Sequence, residues 1–247
     1  DTTPGSTGCI MRSKDTGQNW ERLPLPVEPN TAMWVVNAQP ADPKIVLAGS
    51  RYGYLYRSDD GGRTWDSRSG GLTYEFVHAI AVDPRDADVA YVGTASELHL
   101  LHGEHEQQGL HEGEGIYKTL DGGRSWFLSD TDIEESNLTT LTPHPKLPFE
   151  MWAGANAGRG GFVTTSGGES WLFSATDAAH YPMVFAYSHS FPTVQYLTSL
   201  YSYSEIIRST DGGHTWPRVG DMLQAGLSQR TLDSGLYDPD MRWRVHS

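Results

Sequence analysis

Two titratable side chains interrupt apolar runs at matching places. His78 sits inside "FVHAIAV" (76–82), and Asp233 sits inside "TLDSGL" (231–236). An imidazole takes and gives protons near neutral pH, and a carboxylate beside it can hold its tautomer. His78 and Asp233 are therefore candidates for a catalytic base and its orienter. The competing reading of His78 is a hydrogen-bonded core histidine. A second group lies in "ASELHLLHGEHEQQGLHEGE" (95–114), which carries four of the ten histidines. His99, His102, His105 and His111, with Glu104 and its neighbouring glutamates, offer nitrogen and oxygen donors suited to one divalent ion: Zn, Mn, Ni, Fe or Ca. The spacing of His102 and His105 is not that of a helical zinc signature. A solvated, pH-responsive loop or a substrate lid without metal would use the same residues. No residue pattern calls for an organic cofactor.

A third group suits a polar or anionic ligand. Arg51, Arg159 and Arg230 can fork onto carboxylates, and Tyr52, Tyr201 and Trp34 can add stacking surface and hydroxyls. Tyr52, Tyr74, Glu75, Tyr201 and Tyr203 fall on the same face of the expected fold. The segment "DTDIEE" (130–135) spaces oxygens in a way that could hold Ca²⁺, or simply faces water.

The elements that must position these residues are short strands. Apolar stretches such as "MWVVNAQP" (33–40) and "VHAIAVDP" (77–84) precede a polar turn and a second run, "IVLAGS" (45–50) or "VAYVGT" (89–94). A third run, such as "YLYRS" (54–58), leads into a glycine-rich turn and a Trp-led stretch. Val, Ile, Tyr and Trp punctuated by Gly, Pro and Asp read as four strands per unit. The units recur. Trp20, Trp65, Trp126, Trp171 and Trp216 stand 45, 61, 45 and 45 residues apart, so one unit carries 16 extra residues, the His/Glu-rich loop. Four-stranded sheets repeated around an axis make a β-propeller.

The period predicts an all-β, single-domain propeller over 1–247, most simply of five blades; a truncated ring of six or seven is the alternative. The closing blade would take its first strands from 230–247 and its last two from 8–22. First strands line a propeller's channel, and counting back from their terminal turns places Trp34, His78, Thr139, Met183 and Asp233 at one level of the ring.

The turn itself, "RSDDGGRTW" (57–65), has the form Ser-x-Asp-x-Gly-x-Thr-Trp and resembles the Asp-box, or BNR repeat. Such boxes occur in sialidases, sortilin-type receptors, xyloglucanase-type glycosidases and a photosystem II assembly factor. Asp15, Asp60, Asp121 and Asp211 match the box aspartate, and Ser166 replaces it in the fourth copy. The resemblance spans essentially the whole chain and implies that the boxes join third to fourth strands on the face away from any active site. A box aspartate accepts backbone N–H groups and the glycine admits positive φ. The reading is structural for all five. The Arg-Ile-Pro motif of sialidases is absent.

The net charge of −13, with only four lysines, excludes a phosphate-binding nucleic-acid surface. No apolar run is long enough to span a membrane as a helix. The lone Cys9 allows no internal disulfide. Neither compartment nor oligomeric state follows from the residues. Two functions fit: an enzyme of hydrolase or lyase type acting on a small polar or anionic molecule at the channel mouth, or a non-catalytic propeller that binds a ligand, a glycan included, or serves assembly. A sialidase-like glycosidase is a further alternative to both.

Overall fold

The computed structural model describes residues 7–27, 31–51, 53–72, 76–95, 115–133, 138–147, 149–155, 161–174, 182–188, 190–199 and 206–216. Strands β1 (Met11–Arg12) and β2 (Glu21–Arg22) form an N-terminal pair. A first full blade follows: β3 (Met33–Ala38), β4 (Val46–Ser50), β5 (Leu55–Ser58) and β6 (Asp66–Ser67). The second comprises β7 (Val77–Val82), β8 (Ala90–Thr94), β9 (Ile116–Thr119) and β10 (Phe127–Leu128). The third comprises β11 (Leu138–Pro143), β12 (Met151–Ala155), β13 (Gly161–Thr164) and β14 (Leu172–Ser174). In the fourth, β15 (Pro182–Tyr187), β16 (Gln195–Ser199) and β17 (Ile206–Ser209) are described. Neighbours pair antiparallel in chain order within every sheet. The chain is an all-β propeller, and no helix occurs among the described residues. The proposed closing strands of 230–247 lie outside them.

Successive first strands lie side by side and are tied by side chains. Asn37 Nδ2 donates to the Ile80 carbonyl at 3.0 Å, and Thr142 Oγ1 to that of Phe185 at 3.0 Å. The core lies between blades. Leu47 and Leu55 of the first blade pack with Val77, Val92, Tyr117 and Trp126 of the second. Glycine sets that spacing at Gly49, where a Cβ would sit 2.5 Å from Val77 Cγ1.

Each box turn is satisfied internally. Ser58 Oγ accepts from Gly62 N at 2.7 Å and donates to Asp60 Oδ1 at 2.8 Å. Asp60 accepts from Arg63 N, Thr64 N and Thr64 Oγ1 at 2.7–2.9 Å. These bonds hold the carboxyls low: about 2 at Asp15 and Asp121, and well below the usual range at Asp60 and Asp211. In the copy lacking Asp, Ser166 Oγ still accepts from Ser170 N at 3.0 Å. The box tryptophans Trp65, Trp126, Trp171 and Trp216 are buried, whereas Trp20 is 59% exposed.

A cross-blade link accompanies the box turns. In three of the boxes the residue just before the hydroxyl reaches across to the next blade. Arg12 donates to the Gly61 carbonyl, Arg57 Nη1 to Ala87 O at 2.7 Å, and Lys118 Nζ to Gly167 O at 2.7 Å. A basic residue before the box hydroxyl at 12, 57, 118 and 208 was the available signal.

Candidate functional site at the channel mouth

The level of the ring singled out by counting is where each of the four described first strands bulges. Register shifts fall between Met33 and Val35, Val77 and Ala79, Leu138 and Thr140, and Pro182 and Val184. The unpaired residues are therefore Trp34, His78, Thr139 and Met183. A bulge takes one residue out of the ladder and re-aims it, which is why bulges recur at barrel rims and sites.

Three of these residues meet across blades. Trp34, half-exposed, lies 5.4 Å from His78 and 5.3 Å from Phe76, centroid to centroid, and Phe76 lies 5.7 Å from His78. His78 Nδ1 is 2.9 Å from the Thr139 carbonyl oxygen. A carbonyl only accepts, so Nδ1 carries the proton and Nε2 keeps its lone pair. Burial lowers the pKa of His78 below its ordinary 6.5, with the Thr139 carbonyl opposing. The ring is neutral at pH 7. The site therefore offers a half-exposed indole beside an imidazole acceptor of fixed tautomer.

The remaining candidates stand as follows. Nδ1, the atom an orienting carboxylate would take, is engaged by Thr139, while Asp233 lies outside the described residues. So do Tyr52, Arg159, Tyr201, Arg230 and the proposed metal ligands His99, His102, Glu104, His105 and His111. Arg51 follows β4, and its backbone N–H donates to Ala32 O at 3.0 Å. The box aspartates and tryptophans lie on the turns from third to fourth strand, at the end of the blades away from the bulges. Sequence reading missed Phe76, which fills the angle between Trp34 and His78. Its position just before a first strand was the only signal.

The geometry defines a propeller with a polar-aromatic mouth, and solved structures agree on the fold. The chain is similar to an ancestral GH74 enzyme (18% identity, 85% of this chain, 28% of that one, TM-score 0.64) and to the GH74 xyloglucanase from Xanthomonas campestris (19%, 85%, 34%, TM-score 0.61). It is also similar to YCF48 bound to D1 peptide (16%, 85%, 60%, TM-score 0.57). It thus spans less than two thirds of each of those chains. No family model matches, and no curated protein matches. At these identities the likeness establishes the β-propeller and nothing finer.

Proposed function

We propose that this propeller is a ligand-binding module whose site is the bulge ring at Trp34, His78 and Thr139, and that its ligand is a carbohydrate. The observation that carries the reading is the half-exposed indole set against a neutral imidazole with Nε2 free of its proton. A sugar presents an apolar C–H face to stack on an indole and hydroxyl donors at its edge for the imidazole. A neutral glycan also suits a chain of net charge −13 better than an anion does. Similarity to GH74 structures adds support by analogy of fold.

The test is a titration of intrinsic tryptophan fluorescence with cello- and xyloglucan oligosaccharides. Trp34→Ala is expected to weaken binding by about ten-fold or more while leaving Tm unchanged, because the indole is a surface anchor. Full affinity in Trp34→Ala, or no binding across the panel, overturns the carbohydrate reading.

The state of His78 favours one further reading. A neutral imidazole with a bare Nε2 is also a general base, and hydrolase activity at the same mouth would use it so. Turnover of a bound oligosaccharide that disappears in His78→Gln, with binding retained, distinguishes catalysis from binding alone.

A further inference from the structure

A small open cavity lies on the opposite face, where the first-to-second strand turns of the second and third blades meet beside the fourth box. Pro84, Tyr91 and Phe149 wall it, and Asp83, His144 and Glu150 supply its polar groups. The space is too small for a drug-sized ligand, which leaves a single side chain as the largest occupant. The walls are fixed. Tyr91 Oη donates to Gly167 O at 2.8 Å, and Gly167 N donates to Phe149 O at 2.8 Å. Phe149 is held at φ 67°, strained for an aromatic residue, and the residue is 57% exposed.

The polar groups are two carboxylates and an uncharged imidazole. Asp83 is buried, and only its Oδ1 is engaged by backbone, from Arg85 N at 2.8 Å and Asp86 N at 3.2 Å. Glu150 receives only a long bond from Tyr187 Oη at 3.4 Å among the described residues. His144 is 5% exposed, and its Nδ1 accepts from Lys146 N at 3.0 Å and Leu147 N at 2.7 Å, so its proton sits on Nε2. Burial lowers its pKa; Glu150 opposes that and Lys146 adds to it. The protein's own cations already gather at the aromatic walls. Arg85 lies 5.5 Å over Phe149 and 3.7 Å from Asp83, and Lys118 Nζ lies 5.5 Å over Tyr91.

We propose that this cavity is a docking site for a lysine or arginine side chain of a partner protein, its stem on Pro84 and Phe149 and its charged head on Asp83 and Glu150. Charge complementarity selects this occupant: an apolar-walled hole with two carboxylates, in a chain of net charge −13, admits a cation on an alkyl stem. Arg85, half-exposed at the rim, is a competitor for the same groups.

The probe is N-acetyl-lysine methylamide, compared with its uncharged norleucine counterpart and followed by the NMR signals of His144 and Tyr91. The lysine probe should bind saturably and about ten-fold more tightly than norleucine. Glu150→Gln should remove that preference, and Arg85→Ser should tighten the lysine probe. Both changes leave the core untouched, so folding is preserved. Equal binding of both probes would reduce the cavity to an apolar hole. Binding of neither probe, in the native chain and in Arg85→Ser alike, would overturn the site altogether. Neither result bears on Trp34 or the mouth.

Discussion

Thr16 occupies a position that the other boxes give to glycine. Its φ is 58°, while Gly61, Gly122, Gly167 and Gly212 lie at 70–74°. A β-branched residue is strained there, so Thr16→Gly should stabilise the chain by about 1 kcal/mol, read as a rise in the denaturation midpoint. The box carboxylates make an opposite kind of statement. Asp121 titrates at about 2 in the fold against an ordinary 3.8, so the folded state favours its charged form. Its contribution is full above pH 3.8 and drains away as pH falls toward 2. Asp121→Asn should flatten the stability profile in that window and leave ligand binding unchanged. His78 runs the other way from a histidine that gains an acidic partner. Its folded pKa is below 6.5, so its contribution is full above 6.5 and falls as acid protonates the unfolded chain first. Protonation also removes the Nε2 acceptor, so affinity at the mouth should fall at acid pH in the native chain and lose that dependence in His78→Gln. The sequence showed that His78 broke an apolar run. It did not show whether a core or a site had claimed it, because the partner, a backbone carbonyl 61 residues away, has no side-chain signature.

At the scale of strands, the repeat was legible and the bulge was not. Period and composition give four strands per unit, since Val, Tyr and Trp runs between Gly and Asp turns have few other solutions. A bulge adds one residue without changing residue type, so "MWVVNA" and "VHAIAV" read as plain strands. Its partner was visible only in hindsight. Gly49, Gly93 and Gly154 stand opposite the residue after the bulge in three blades. Gly49→Ala should destabilise by about 1–3 kcal/mol, because the added methyl runs into Val77 of the next blade. Chemical denaturation checks this, and the loss should appear without change in the box carboxyl titrations.

For the whole molecule, the open question of blade number has a direct readout. Lys14, Asp59, Leu120, Thr165 and Thr210 occupy the same place in successive boxes. Spin labels at 59 and 120 report the spacing of adjacent blades. A five-bladed ring requires the same spacing between 210 and 14, and a larger or open ring requires a longer one. Two of the described residues mark the ends of the series. Trp20 is exposed where its counterparts are covered by the preceding blade, and Arg208, next in the series of cross-blade cations, has a buried Nε with no partner.

Those cations all point one way. Arg12, Arg57 and Lys118 each reach from an earlier blade to a later one. The interlock is therefore vectorial, and its direction is that of synthesis. Each of the first three full blades, leaving the ribosome in turn, meets a cation already in place on the sheet before it, which favours sequential capture. Damage should travel the same way: Arg57→Met should speed amide exchange around Gly122 and Trp126 while sparing Ser58 to Trp65.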